Sequence, residues 1–523
     1  MYNYQIDFAH YKLRDYEKML AIKEFENQFP KIEFTVILDK GIVFSSRELL
    51  DEQQLKKLTF YSEIHCQSPE TRKTNFPTNQ TLIEGNRNVK PNLFNDFIPN
   101  KSRDIRYLTH SFHEYKGRFY PQLAKAFMNY AAVKKGETVL DPFCGSGTTL
   151  VESLLYGINA VGIDINPIAY MLAKAKVQSL RLTRTEFAEI KKVFQDLSSN
   201  TGWESIRIDD FETSIDVEYL TKWFPEKNLK KILFVQQHIK TLNSEISQLF
   251  SKVILSNLLR IFSFQDPTQL RIKRRSDIPG ENLIQMFQKN VFEQIENLEK
   301  FKTLNSFDLD SDVQNYIGDI RTLIQNSNLK EESIDIVITS PPYATALPYV
   351  DTDRLSLFAF GYSNKSNFRT LEESLVGNRE ITKSKREELD KELEENFNAS
   401  LLPSEIISVL KKIYWLNKNA NVGFRRKNTA ALLFKYFLDM YQGINQISKV
   451  LKKDKFAFFV VGNNSTIAGD QNIEIPTDDF LTLIAEKNNF RLIEKIPMTT
   501  QRGYMIHSKN SIKSESILIW RRM

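Results

Sequence analysis

Residues 137–167 read ETVLDPFCGSGTTLVESLLYGINAVGIDINP, and no other stretch limits the fold so tightly. An apolar strand pattern, ETVLDPF, breaks at Gly145-Ser146-Gly147. The helix-forming run TTLVESLLYG follows, and a second apolar strand, NAVGIDI, comes directly after it. Two strands joined through a helix are parallel neighbours, because a hairpin would need only a few turn residues. The chain is therefore built on the βαβ rhythm of an α/β sheet. Its 523 residues exceed what one core can hold, so separate domains or large insertions must accompany that sheet.

The remaining chain divides around this unit. Residues 1–100 alternate strand-like and helix-like runs, with a polar linker near 67–104, and predict a small α+β unit. Residues 181–310 lose the βα alternation and predict a largely helical insertion, with the basic knot RIKRR at Arg271, Lys273, Arg274 and Arg275. The α/β pattern resumes over 311–362 at VQNYIGDIR and SIDIVITSPPY. Residues 363–428 are highly charged and predict a solvated helical or mobile insertion. In 429–523 a helix, the buried strand FAFFVVGNN, another helix, and the segments RLIEKIPM and ESILIWRR predict a closing antiparallel pair.

Glycines at a strand-to-helix turn let the backbone approach a ligand, and the helix start offers unpaired N–H groups. A dinucleotide fingerprint needs a third glycine where Leu150 stands, and a P-loop needs a lysine that is absent. Asp141 at the end of the first strand and Asp164 at the end of the second flank the turn instead. Acids in those places suit a nucleoside without phosphates, which points to S-adenosylmethionine. The second unusual turn is TSPPY, where Pro341 and Pro342 follow a strand with no glycine. Tandem prolines impose a stiff, extended corner.

DPFCGSGTT resembles the cofactor motif of amino-methylating nucleic-acid methyltransferases, and TSPPY resembles the catalytic motif of their cytosine-N4 DNA-modifying members. HEYKGRFYPQL, IGDIR and LKKDKFAFFVVGNN resemble further segments of that family. The resemblance spans roughly 105–180, 312–362 and 430–523. It implies a Rossmann-like methyltransferase sheet, mostly parallel with a C-terminal antiparallel hairpin, assembled from 101–180, 311–362 and 429–523. S-adenosyl-L-methionine is implied at Asp141, Phe143, Gly145, Ser146, Gly147, Asp164 and Asp319, with Asp164 on the ribose and Asp319 near the adenine. The segment from His113 to Leu123 is implied to close over the cofactor's methionine end.

The resemblance also implies a mechanism. A base amine is conjugated with its ring and is a poor nucleophile. Ser340 and the carbonyl of Pro341 are implied to accept its hydrogens, with Pro342 stiffening the turn and Tyr343 stacked on an extruded base. The implied substrate is double-stranded DNA, in a restriction-modification or phage-defence setting with a cognate nuclease or defence-system subunits as partners. Adenine-N6 in DNA and guanine-N2 in tRNA remain alternative targets.

Composition narrows the field further. A net charge of +6 permits a polyanionic partner, and the basic knot is the expected phosphate contact of an insertion suited to target recognition. Cys66 and Cys144, the only cysteines, exclude a disulfide framework or a cysteine-rich zinc site. His110 and His113 lack acids at ligand spacing, so hydrogen bonding and no metal is expected of them. No apolar run is long enough to span a bilayer and the opening MYNYQIDFAHYK lacks a leader pattern, so a cytoplasmic protein is expected.

Overall fold

The computed structural model describes residues 1–68, 73–85, 103–115, 117, 119–208, 215–269, 273–278, 280, 282–304, 307–327, 329–344, 350–395, 401–498 and 514–523. The N-terminal part is a five-stranded antiparallel sheet. Its strands are β1 (Tyr2–Phe8), β2 (Phe34–Ile37), β3 (Gly41–Ser46), β4 (Tyr61–Gln67) and β5 (Thr74–Pro77), in the order β2-β3-β1-β4-β5. Alternation along β1 buries Tyr4, Ile6 and Phe8 on one face, where Leu20, Ala21 and Phe25 of the helix Asp15–Gln28 are also buried. The expected linker near 67–104 is in part structured. Thr74–Pro77 adds an edge strand to β4, and Asn79–Gly85 is helical.

The central sheet has seven strands. They are β6 (Thr138–Asp141), β7 (Asn159–Asp164), β8 (Val313–Ile317), β9 (Ile334–Thr339) and β10 (Leu451–Gly462), followed after the hairpin β11 (Asn464–Ala468) and β12 (Gln471–Ile475) by β13 (Phe490–Met498) and β14 (Glu515–Arg522). The order is β13-β14-β10-β9-β6-β7-β8. The pairs β8·β7, β7·β6, β6·β9 and β9·β10 are parallel, while β14 runs antiparallel between β10 and β13. This is the mostly parallel sheet with a C-terminal antiparallel pair expected from the sequence. All six residues of β9 are buried, as both faces of a central strand must be.

The N-terminal unit does not stand apart. Its core runs continuously into that of the central sheet. Asn27 and Gln28 donate side-chain hydrogen bonds to the carbonyls of Tyr130 and Asn129, at 2.7 and 3.0 Å. Glu24, fully buried, accepts from the N–H groups of Thr59 and Phe60 and from Asn129 Nδ2 at 2.7 Å. The helix Pro121–Tyr130 is consequently buried at every position.

The insertion after β7 is helical as expected, with Arg184–Phe194, Val217–Trp223, Glu226–Lys240, Glu245–Leu259 and Leu283–Lys302. The charged stretch 363–428 carries the helices Phe368–Ser374, Lys383–Glu395, Ser404–Lys418 and Phe424–Lys427. Leu389, Leu393, Leu410 and Ile413 bury their side chains in the core beneath the long helix Thr429–Val450. Charge density hid these anchors. Among the described residues no helix is long and apolar enough to cross a membrane.

Candidate active site

Parallel strands present their C-terminal ends along one edge, where the loops converge on a cleft. Here Pro142, Phe143 and Gly145 follow β6, Asp164, Ile165 and Asn166 end and follow β7, Gly318, Asp319 and Ile320 follow β8, and Ser340 and Pro342 follow β9. Tyr115 and Gly117 close one side and Ser374, Leu375 and Val376 another.

The glycine turn is fixed by its surroundings. Gly147 starts the helix Thr148–Tyr156 at φ 82°, and a Cβ there would lie 2.8 Å from the Cα of Ala173. Gly145 has φ 49°, and its missing Cβ leaves room for the Tyr115 ring, 3.1 Å from where that atom would stand. Its N–H donates to Asp164 Oδ2 at 2.8 Å, while Asp164 Oδ1 accepts from Asn166 N at 2.9 Å. Burial lifts the Asp164 carboxyl to about 6 against these N–H donors, which favour the anion. Burial, reinforced by the Asp164 charge, also pushes the Tyr115 hydroxyl well above its usual range.

Asp141 lies below the cleft instead of lining it. Its carboxylate is 1% exposed and accepts from Thr149 Oγ1 at 2.5 Å, Thr339 Oγ1 at 2.7 Å and Phe143 N at 3.2 Å. The expected ligand contact becomes a clasp that fastens the glycine turn to the end of β9, directly before the SPPY corner. Burial raises this carboxyl to about 6 as well, with the three donors opposing. Ser146 is likewise buried, and its Oγ has no hydrogen-bond partner within the protein. Gly145, Phe143, Asp164 and Asp319 do line the cleft, so the two acids and the turn come together as expected.

Asp319 is held by an arginine that sequence reasoning did not single out, although it ends the quoted IGDIR. Arg321 Nε donates to Asp319 Oδ1 and Oδ2 at 2.9 and 3.0 Å, and its Nη groups reach Asp439 Oδ1 at 2.8 Å and the Ser374 carbonyl at 2.7 Å. The cleft wall at Ser374–Val376 is thus tied to Asp319. Nothing in that wall's local sequence marks it as part of a site.

At the diproline corner, Ser340 Oγ donates its proton to the Val460 carbonyl at 2.9 Å. A hydroxyl has one proton and two lone pairs, so the oxygen remains an acceptor. Pro341 is buried, and Pro342 packs against Gly377, whose φ of 74° and absent Cβ keep the contact close. Tyr343 is half-buried beside this corner, its hydroxyl donating to Glu515 Oε1 at 3.0 Å.

The segment after His113 divides. His113 is buried away from the cleft, its Nε2 3.1 Å from Ser256 Oγ in the helical insertion, whereas Tyr115 reaches the glycine turn. His110 Nε2 lies 2.8 Å from Glu152 Oε1. Both histidines thus have the hydrogen-bonding roles expected of them. In the basic knot, Arg271 lies outside the described residues. Lys273 and Arg274 are exposed, with Arg274 over the Phe264 ring at 4.7 Å. Arg275 departs from expectation: its guanidinium turns inward onto the carbonyls of Ile261 and Ser263, closing the loop beyond the helix Glu245–Leu259. That orientation became fixed only when the helix end supplied unpaired carbonyls.

A family described as UPF0020, an RMKL-like methyltransferase domain, matches residues 110–206. The type II methyltransferase M.MvaI of Kocuria varians is 24% identical over 430 residues, 78% of this chain and 88% of that protein. M.BsoBI of Geobacillus stearothermophilus is 26% identical over 440 residues, covering 77% and 82%. A tRNA (guanine(10)-N2)-dimethyltransferase of Methanothermobacter thermautotrophicus is 46% identical, but over only 52 residues, 10% of this chain and 16% of that protein. The clasped glycine turn, the acids at the strand ends and these relatives together make the chain an S-adenosylmethionine-dependent methyltransferase, homologous to the type II methyltransferases over most of its length.

Proposed function

We propose that this protein methylates the exocyclic N4 amine of cytosine in double-stranded DNA, as the modification enzyme of a restriction-modification or phage-defence system. The observation that carries the reading is the direction of the Ser340 proton. With that proton given to Val460, the oxygen facing the cleft can accept a hydrogen and cannot donate one. An amine whose lone pair is delocalised into a ring becomes nucleophilic when acceptors draw on its hydrogens. Ser340 Oγ and the Pro341 carbonyl are the acceptors assigned that task, and the ring of Tyr343 is assigned the stacking face for the base.

The residues present fit the cofactor. Ser146 Oγ is a buried polar atom without a partner in the protein, and Gly145 opens the turn toward the cleft. Asp164 is assigned the ribose hydroxyls and Asp319, steadied by Arg321, the adenine amine. When bound, S-adenosylmethionine supplies an electrophilic methyl on a sulfonium, which the amine's lone pair takes as the carbon–sulfur bond breaks and sulfur keeps the electron pair. The amine then loses a proton toward the acceptors. Stiff acceptors hold the lone pair in line without reorganising during transfer. Cys144 is buried inside the glycine turn with its thiol pushed well up by burial, which argues against a ring-carbon mechanism needing a thiolate.

The type II relatives support DNA as substrate. Exposed Lys273 and Arg274 are proposed to meet phosphates. Their loop is tethered by Arg260 to the carbonyls of Pro267 and Gln269, and the neighbouring Asn257 accepts from Glu114 N at 3.0 Å, next to the cleft residue Tyr115. The test is mass spectrometry of nucleosides from duplex DNA treated with enzyme and labelled cofactor. N4-methylcytosine is the expected product. N6-methyladenine would overturn the base assignment, and label appearing in tRNA alone would overturn the DNA reading.

A further inference from the structure

Residues 411–428, KKIYWLNKNANVGFRRKN, contain six lysines and arginines and no carboxylate. The preceding helix, Lys383–Glu395, is mixed in sign, so this run stands out against its own neighbourhood. Within it Trp415 is 48% exposed and Phe424 56% exposed. A single wet aromatic is ordinary, but two large ones beside the exposed cations Arg425, Arg426 and Lys427 form a surface of a particular chemistry.

Hydrogen bonds make this surface one assembly. Asn417 Nδ2 donates to the Arg426 carbonyl at 2.8 Å, and Asn417 Oδ1 accepts from Gly469 N at 2.9 Å. Arg426 Nη1 also reaches the Gly469 carbonyl at 3.3 Å. The end of the helix Ser404–Lys418, the turn Phe424–Lys427 and the tip of the β11–β12 hairpin are thereby pinned together, leaving Arg425 and Lys427 exposed.

The position matters as much as the composition. The hairpin leaves the same edge of the sheet as the cleft, directly after β10, and Asn464 Nδ2 at its root donates to the Ala344 carbonyl, next to Tyr343, at 2.7 Å. Its tip at Gly469 lies roughly 15 Å further on at ~3.3 Å per residue. That distance corresponds to about four or five base pairs of duplex at ~3.4 Å each.

We infer that the surface of Trp415, Phe424, Arg425, Arg426 and Lys427 docks the sugar–phosphate backbone of duplex DNA beside the target base. The inference rests on the DNA reading above and adds a contact separate from the basic knot in the helical insertion. The cations neutralise phosphates, and the aromatics pack on the apolar edges of the sugars between them.

The test uses the full chain and a fluorescein-labelled duplex of mixed sequence, with unfractionated tRNA as second probe. Two variants are compared with wild type: Arg425→Ser combined with Lys427→Ser, and Trp415→Ala. The double variant is expected to lower the slope of log affinity against log salt by about 1.8. Trp415→Ala is expected to weaken duplex binding about fivefold, through lost apolar contact with the sugars. Cofactor affinity by calorimetry should stay unchanged in both, since neither touches the cleft. Duplex affinity and salt slope equal to wild type would overturn the surface alone. Loss of tRNA affinity with duplex affinity intact would also overturn it. A wild-type protein that binds and methylates only tRNA would overturn this inference together with the reading it rests on.

Discussion

Ser340→Ala isolates the step on which the proposed chemistry turns. The substitution removes one hydroxyl that donates to Val460 and, in the reading above, accepts from the target amine. Two losses are expected, and they differ in size and in where they appear. The Val460 carbonyl loses its donor, a net cost of about 1 kcal/mol that falls on folding stability. The amine loses an acceptor just as positive charge develops on it, and a hydrogen bond to a charged group contributes about 1.5–3 kcal/mol. Applied to the barrier, that range slows transfer by about 10- to 150-fold. Because the charge appears during reaction, the loss should fall on kcat, with the affinities for DNA and cofactor nearly unchanged. Single-turnover transfer of labelled methyl, beside calorimetry with the cofactor, separates the two. Ser340→Thr should recover most of the rate by restoring the oxygen. Wild-type kcat in the alanine variant would refute the acceptor role, as would a rate loss matched step for step by lost DNA affinity.

Two further predictions concern carboxyls whose proton affinity is raised. Asp164 titrates at about 6 and is assigned ribose hydroxyls, which need the anion as acceptor. Cofactor affinity should therefore fall as pH drops through that value, by at most about tenfold per unit, and Asp164→Asn should flatten the profile in a calorimetric pH series. Glu24, between the N-terminal sheet and the central one, is raised by burial from 4.5 to about 7 despite its N–H donors. The native state then binds more protons than the unfolded one between those values, so stability decreases as pH rises through the window. The decrease is limited to about 3 kcal/mol, and Glu24→Gln should remove the slope in denaturant titrations at several pH values.

Some of this molecule could be read from local pattern alone. β6, the glycine turn, the following helix and β7 sit where the residues from Glu137 to Asp164 place them, because periodicity and turn chemistry act over a few positions. The closing antiparallel pair, β13 with β14, was legible for the same reason. Residues 363–428 were expected to form a solvated helical or mobile insertion; the helices are present, but abundant charge masked the anchors Leu389 and Leu393, four apart on one helical face. The inward turn of Arg275 had no local signal either.

The sequence by itself therefore determined the βαβ start of the sheet, the two turns to which the chemistry is assigned, and the acids flanking the first of them. Tertiary structure decided what those residues do. Asp141 became a clasp because Thr339, 198 positions away, arrives beside it when β9 pairs with β6. Ser340 became an acceptor because Val460, 120 positions away, takes its proton. Asp319 acquired a wall because Arg321 reaches Asp439 and Ser374. Periodicity records which face of an element is buried, but the partner of a polar group across the sheet is set by strand order, and strand order is a property of the folded chain.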